Sequence, residues 1–516
     1  MTAAGDQLTW RQWAGFIAMV LGMFMAILDI QIVSASLTDI QAGLAASPDE
    51  ASWVQTSYLI AEIVMIPLSG WLSRLLSTRV LFVGSALGFT LFSLACAGAS
   101  SLGEMVTFRA LQGFIGGAMI PTVFATTFLL FSDARRTQMS VLIGLTATMA
   151  PTIGPTLGGW LTDQYSWHWL FLINVPVGVL VAGAVWTCLD IDRPDWSLRH
   201  GFDAIGLMLM ALFLGGLQYV LEEGDRWDWF QDETVAWAGV TSVVAGVLFF
   251  WRMLTRRDPL VELRAFANVN FAFGSLFSFV LGIGLYGSVY LVPLFLGRVR
   301  GYDSLQIGET MFVTGVAMFL SAPVAGQLAQ RLDLRVMLGL GLLMFGGGLW
   351  WMAAFTVDSA FWELFGPQAL RGASMMLIML PVNQIALGRL PPEALKNASG
   401  LYNLMRNLGG AVGLAMINTV ATSRLAVHTL HLNEQVTWAR PGATRVVGAM
   451  TQLMTAAKSG DAHIAALKQA ALMVQRQALT LTYNDVLLLM AGCFFLALPL
   501  TFLLAKPAGA GVSAAH

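Results

Sequence analysis

Charge is what this chain has least of. Of its 516 residues only 11% are Asp, Glu, Lys or Arg, while 57% are hydrophobic. A soluble domain carries about 25% charged residues. No aqueous fold of this length can hide so much apolar side chain, so the composition excludes a soluble globular protein and points to one embedded in lipid. The net charge is −2 and no basic tract stands out, which leaves no surface for nucleic acid. Cysteine is also scarce. Cys96, Cys188 and Cys493 fall in or at the ends of apolar runs, with neither disulfide nor metal-ligand spacing. No phosphate-binding Gly-rich loop ending in Lys-Ser or Lys-Thr occurs, so ATP is not expected as the energy source. No nucleophile elbow or metal site suggests an enzyme, and no cofactor is expected. His168, His428, His431 and His463 lie near run ends or in a long polar loop and read as surface residues.

What is present is apolar sequence in long blocks. Fourteen segments are long enough to cross a bilayer: 13–34, 52–72, 80–99, 105–130, 139–161, 168–189, 203–221, 234–251, 270–296, 306–328, 336–356, 361–388, 398–422 and 482–504. The first is too long for a signal-peptide core and lacks a convincing cleavage site, so it reads as a span. An even number of spans puts both termini on one side. Basic residues such as Arg74, Arg79, Arg135, Arg136, Arg256, Arg257 and Arg335 gather in the even-numbered loops, whereas the short odd-numbered loops hold only Arg226, Arg298 and Arg300. Cytoplasmic loops are the ones enriched in Lys and Arg, so both termini are expected in the cytoplasm.

The chain also repeats. Pro67, Gly70, Leu72, Leu76, Arg79 and Val80 recur at one constant offset as Pro323, Gly326, Leu328, Leu332, Arg335 and Val336. Arg109-Ala-Leu-Gln112-Gly113 is echoed by Gln368-Ala-Leu-Arg371-Gly372. The repeat relates spans 1–6 to spans 9–14 in the same orientation, an all-α architecture of two parallel six-helix units. The expected division is an N-terminal bundle over 1–190, a linker and two-helix hairpin over 191–264, and a C-terminal bundle over 265–516. The last unit contains a long periplasmic loop, 423–481, in which Ala462–Leu479 reads as a surface helix.

Ionisable groups inside a membrane are expensive and therefore functional candidates. Asp29 in span 1 and Arg109 in span 4 fall at similar depth in the outer half and are placed to pair. Glu62 sits near the middle of span 2 with no cation beside it in sequence, free to exchange a proton or attract a cationic substrate. These three are the candidates for proton coupling. Substrate-cavity candidates are Gln55, Tyr58, Gln112, Tyr286, Tyr290, Arg371, Asn383, Gln384, Asn403 and Arg406. Glu222 is a secondary acid candidate, although both it and Glu223 lie near a span end where a solvated face is the simpler expectation. Asp203 reads as a helix N-terminal charge.

One stretch contradicts its surroundings. Pro151, Gly154, Pro155, Gly158 and Gly159 interrupt an apolar span with helix breakers. Membrane helices tolerate this where neighbours pack closely and satisfy the freed backbone.

With these residues in view the chain resembles the 14-span drug:proton antiporters of the major facilitator superfamily, the EmrB/QacA group. The similarity is carried by Leu28-Asp29-Ile-Gln-Ile-Val in span 1, Arg109-Ala-Leu-Gln112-Gly113-Phe-Ile-Gly116-Gly117 in span 4, Gly154-Pro155-Thr-Leu-Gly158-Gly159 in span 5, Trp167 to Pro176, and Leu221 to Phe230. The resemblance implies proton-driven export of lipophilic drugs or toxic small molecules across the bacterial inner membrane by alternating access, with the proton gradient as energy source. Export of one dedicated metabolite, lipid or siderophore is the alternative, and a receptor or enzyme a remote one. It further implies a periplasmic adaptor and an outer-membrane channel as partners. By the same analogy span 5 packs against span 10, with its glycines forming a flat seal across the two halves. The chain departs from the superfamily pattern in the loop after span 2. Arg74 stands where an acid is usual and Ser77 where a glycine is usual, so the gating charge network expected of that loop does not carry over to this chain.

Overall fold

The computed structural model describes residues 9–302, 304–388, 390–437, 439–456 and 461–504. Among them fourteen helices are long and apolar enough to cross a membrane. They are α1 Trp10–Ala35, α2 Trp53–Leu76, α3 Thr78–Ala97, α4 Leu102–Leu130, α5 Arg135–Gln164, α6 Trp169–Cys188, α7 Ala204–Glu223, α8 Glu233–Thr255, α9 Val269–Arg300, α10 Gln306–Arg331, α11 Leu334–Met352, α12 Phe361–Leu387, α13 Pro392–Gln435 and α14 Ala462–Leu503. The terminal segments 1–8 and 505–516 lie outside the described residues. Below, the terminal side is the one where α1 begins, and the far side is the other.

Two spans run well past their expected ends. α13 continues without a break for 44 residues, to Gln435, and α14 begins at Ala462 rather than near 482. Most of the 423–481 segment is therefore not a loop. An α-helix satisfies its own backbone, so with no proline or glycine between Thr422 and Gln435 nothing stops it where the apolar residues end. A separate helix, Pro441–Ala456, packs on the extended α14. His428 on the α13 extension is held by Asp485 of α14 at 2.9 Å and is not a free surface residue.

Close backbone approach organises both halves. In α4, a Cβ on Gly113 would lie 2.3 Å from the Tyr58 carbonyl oxygen, and one on Gly117 would lie 2.9 Å from that of Glu62. Only glycine lets α4 sit this close to α2. Gly282 and Gly409 play the same part between α9 and α13, where added Cβ atoms would meet the Arg406 and Phe279 carbonyls.

On the terminal side the halves touch. A Cβ on Gly70 of α2 would fall 2.7 Å from the Asn397 Cα of α13, and one on Gly400 would fall 2.9 Å from the Ile66 carbonyl oxygen. Ser399 donates to the Pro121 carbonyl at 3.0 Å, and Gln384 of α12 donates to Thr137 of α5 at 2.8 Å. The charges missing from the loop after α2 arrive from elsewhere. Arg74 pairs with Glu262, which follows α8, at 2.8 Å. Lys396 donates to the Ser73 carbonyl at 3.0 Å and pairs with Asp192 from the linker after α6. Asp192 also accepts from the Thr78 backbone at 3.0 Å, capping α3. Ser77 there has φ 82° and ψ 155°, a conformation that favours glycine.

The α7–α8 hairpin is tied down at both ends. Asp203 caps α7 through the Gly206 N–H at 2.9 Å and binds Arg252 of α8 at 2.8 Å. Burial pushes its carboxyl up, but the bonds from Arg252 and Gly206 and the charges of Arg256 and Arg252 outweigh this and hold it below its ordinary value. At its far-side end α7 stacks Tyr219 on Trp53 of α2, with ring centroids 5.6 Å apart.

Candidate functional site: a cavity on the far-side half

A cavity of about 340 Å³ lies between the two halves in the far-side portion of the molecule. Its walls come from α1 (Ile30, Gln31, Ser34), α2 (Gln55, Leu59, Glu62), α5 (Pro155), α7 (Gln218, Glu222), α9 (Tyr286, Tyr290, Leu294) and α13 (Asn407, Gly410, Leu414). Glu62 is 3% exposed, and among the described residues no hydrogen bond or ion pair reaches its carboxylate. A buried acid with no partner, aimed into a cavity between two helical halves, can hold a proton or a cation and release either.

Asp29 and Arg109 do meet, but behind the cavity wall. Arg109 Nη1 donates to Asp29 Oδ2 at 2.6 Å, and both side chains are completely buried. Arg109 also donates to the Val54 carbonyl at 3.2 Å and to Gln112 at 2.8 Å, and its guanidinium lies 4.2 Å from the centre of the Tyr58 ring. Asn174 of α6 donates to Asp29 at 2.7 Å and Gln112 does so at 3.3 Å. Asp29 is thus held by three donors from α4 and α6. Asn174 was not singled out from sequence, although it stands in the Trp167–Pro176 stretch that carries part of the resemblance.

Several expected cavity residues are elsewhere. Tyr58 and Gln112 belong to the Asp29 cluster. Arg371 is buried against α10, donating to Thr314 at 3.1 Å, with no ion pair among the described residues. Asn383 accepts from Tyr402, Asn403 accepts from Arg406, and Gln384 is part of the terminal-side contact. Arg406 lies under the cavity floor, 5.1 Å from the Phe124 ring centre. All are polar groups on the spans expected to line a site. Their helical phase points them into packed contacts instead, which hydropathy cannot reveal. Gln55, Tyr286, Tyr290 and both acids, Glu62 and Glu222, do face the cavity.

Glu222 and Glu223 do not form a solvated face. Thr56 donates to Glu223 at 3.0 Å and Arg226 lies 3.7 Å from it, while Glu222 turns into the cavity and accepts from Gln218 at 3.4 Å. The span end is covered because α7 packs on α2 and α13 rather than standing apart in lipid.

The interrupted stretch of α5 also packs differently from the expectation. Gly154 and Gly158 face α1 within their own half: Cβ atoms there would lie 2.4 Å from Gln31 Cβ and 2.8 Å from the Ile32 carbonyl. α5 does pack against α10, but through threonines. A Cβ on Gly308 would meet Thr156, Thr152 lies near Gly315, and Thr148 contacts Met318. The face carrying Gly154 and Gly158 and the interdomain face are different sides of one helix, so those two glycines do not make the seal across the halves, whereas Gly159 falls in helical register with the threonines. Pro155, between them, lines the cavity.

Residues 19–414 match the model of the Major Facilitator Superfamily. The chain belongs to the major facilitator superfamily. It is 43% identical over 489 residues to the colistin resistance protein EmrB of Acinetobacter baumannii, covering 95% of each chain. It is 31% identical over 496 residues to the multidrug export protein EmrB of Escherichia coli, covering 96% of each. The fatty acid resistance protein FarB of Neisseria gonorrhoeae is 31% identical over 418 residues, 81% of this chain and 82% of that one. Among solved structures the human organic anion transporter MFSD10 superposes with a TM-score of 0.59 at 13% identity, covering 94% of this chain and all of that one, a likeness of fold alone.

Proposed function

We propose that this protein is a proton-coupled exporter of lipophilic small molecules, working by alternating access in a bacterial inner membrane with its termini in the cytoplasm. One observation carries the reading. Glu62 is a buried, unpartnered carboxylate facing a cavity on one side of a molecule whose halves are in contact on the other. A carboxylate so placed takes up a proton when the cavity faces the acidic side and loses it, or yields to substrate, when the cavity faces in. Asp29 and Arg109 stay paired behind it as a fixed electrostatic partner. They are linked to Glu62 through the close packing of Gly113 and Gly117 on α2. Work comes from the proton gradient, with no bound cofactor. The EmrB relatives support a multidrug substrate range. FarB favours a second reading, export of lipid-like acids. The long α13 and α14 extensions, with the Pro441–Ala456 helix between them, offer a periplasmic platform for an adaptor that leads to an outer-membrane channel.

The test is efflux from a bacterium stripped of its own pumps, across a compound panel, with and without an uncoupler. Export of several lipophilic compounds that stops with uncoupler supports the reading. Export of a single compound class supports the dedicated alternative, and export that persists without a gradient overturns proton coupling.

A further inference from the structure

Arg371 is a buried charge that the cavity of Glu62 does not use. It lies ten residues beyond the start of α12 and is 1% exposed. Its Nη2 donates to Thr314 of α10 at 3.1 Å, and its Nη1 reaches the Met352 sulfur at 3.9 Å. A guanidinium carries five N–H donors, so one hydroxyl and one thioether leave most of them unmet among the described residues. The first half solves the same problem with an acid. Arg109, in the matching Arg-Ala-Leu-Gln-Gly stretch of α4, is paired with Asp29 of α1. Arg371 makes no ion pair among the described residues. The acids of the helices around it, Asp163 of α5, Glu309 of α10 and Glu363 of α12, are all exposed near the far-side ends, and α9 and α11 contain none. An uncompensated charge at this depth is costly, so a counter-charge is called for.

Arg371 borders a small cavity of about 20 Å³, walled by α9, α10, α11 and α12 of the C-terminal half and by α5 of the N-terminal half. Hydroxyls gather there: Thr148 and Thr152 from α5, Ser288 from α9 and Thr314 from α10. Among the described residues Arg371 is the one charged group in the lining. Each α5 hydroxyl donates to a carbonyl one turn back, Thr148 to Gly144 at 2.6 Å and Thr152 to Thr148 at 2.8 Å. A hydroxyl proton rotates, so it can turn from that carbonyl to a stronger acceptor. The volume takes one body of about the size of a water molecule, which excludes carboxylates, phosphates and sulfate. Val289 belongs both to this lining and to that of the larger cavity, so a single side chain stands between the two and marks the way in.

We propose that this cavity is a chloride site, in which Arg371 of α12 holds the ion against Thr152 of α5. A small monatomic anion is the ligand that meets both the charge and the volume. It supplies the counter-charge that Asp29 supplies to Arg109 in the other half. Because its partners come from both halves, its affinity depends on how α5 sits against α10. It is held best while these two helices keep the present contact. By linkage, chloride therefore favours this arrangement of the halves over any in which α5 and α10 have slid apart. The site goes beyond the export reading and does not depend on Glu62.

The experiment measures binding of radiolabelled chloride to the purified full-length protein in nanodiscs, by scintillation proximity, with gluconate as the balancing anion. The wild type is expected to bind saturably, about one ion per chain, with displacement by unlabelled chloride or bromide and none by sulfate. Arg371→Gln should abolish binding. In chloride-free buffer the same variant should unfold at a higher temperature than the wild type, because it deletes an uncompensated buried charge, and this separates loss of the site from misfolding. Thr152→Val, in the other half, should weaken binding about tenfold, and Thr152→Ser should keep it. If Arg371→Gln does not fold, the two Thr152 variants decide alone. No saturable binding by the wild type would mean that the cavity takes water only and would overturn the proposal. So would binding that survives Arg371→Gln, or wild-type affinity in Thr152→Val.

Discussion

Breaking the Asp29–Arg109 pair measures how strongly the N-terminal bundle depends on its one fully buried ion pair among the described residues. The perturbation is a double-mutant cycle of Asp29→Asn, Arg109→Met and both together. The N–O separation is 2.6 Å and neither side chain is exposed. At that separation Coulomb attraction is about 6 kcal/mol for an effective dielectric constant of about 20. Desolvation offsets much of it, and removing one member of a buried pair costs about 3–5 kcal/mol because the other is left uncompensated. Asp29→Asn leaves the guanidinium with two acceptors, the Val54 carbonyl and Gln112, and should fall near 5 kcal/mol. Arg109→Met leaves the carboxylate with amide donors from Gln112 and Asn174, which soften the loss to about 3 kcal/mol. The double variant buries no net charge, so it should cost no more than the worse single one, a coupling of about 3 kcal/mol or more. Unfolding in mixed detergent–SDS micelles, followed by tryptophan fluorescence and circular dichroism, gives all three values. Additivity within about 0.5 kcal/mol would refute the reasoning, since it would mean that the pair is not energetically coupled.

Three further outcomes are expected. Ser77→Gly should raise stability by about 1 kcal/mol in the same assay, because the native φ of 82° strains any residue with a Cβ; a loss of stability would contradict this. Gly158→Leu drives a side chain into the Ile32 carbonyl of α1, so it should reduce folded yield, whereas Gly308→Leu, on the α5–α10 contact, should yield folded protein that leaks protons in vesicles. A leak from well-folded Gly158→Leu would place the seal back on the glycines. Lys396→Gln and Glu262→Gln each remove one member of the ion pairs that bridge the terminal side. Both should increase labelling of a cysteine introduced as Ser69→Cys, a buried position beside Gly400 of the other half, in a background without Cys96, Cys188 and Cys493. Unchanged labelling would show that the glycine contacts alone hold that side closed.

How far the sequence reached depends on which physical signal each feature leaves. Hydropathy leaves a strong one, so the span count and the bundle class were readable. Helix ends beyond the membrane leave almost none: Ser423 to Gln435 is polar either way, and only the lack of a breaker hinted that α13 continues. The Asp29–Arg109 pairing could be read because two opposite charges at equal depth in lipid have few other partners. The cavity wall was harder. Tyr58, Asn383 and Asn403 are as polar as Gln55 and Tyr290, and rotation about the helix axis alone sends them into packed contacts. The terminal-side charges were missed because Asp192 and Glu262 sit in connecting segments, far in sequence from the loop whose acid they replace. Glu222 was misjudged as solvated because nothing in the sequence of α7 says that its end is covered by α2.

The central claim is that protons drive export through Glu62. Proteoliposomes holding the purified protein, with an imposed pH gradient and a fluorescent lipophilic substrate, test it most directly. Wild-type protein should move substrate against its concentration gradient, in exchange for protons. Glu62→Gln should still exchange labelled for unlabelled substrate at equilibrium but show no uphill, pH-driven transport. Uphill transport by Glu62→Gln at the wild-type rate would contradict the account.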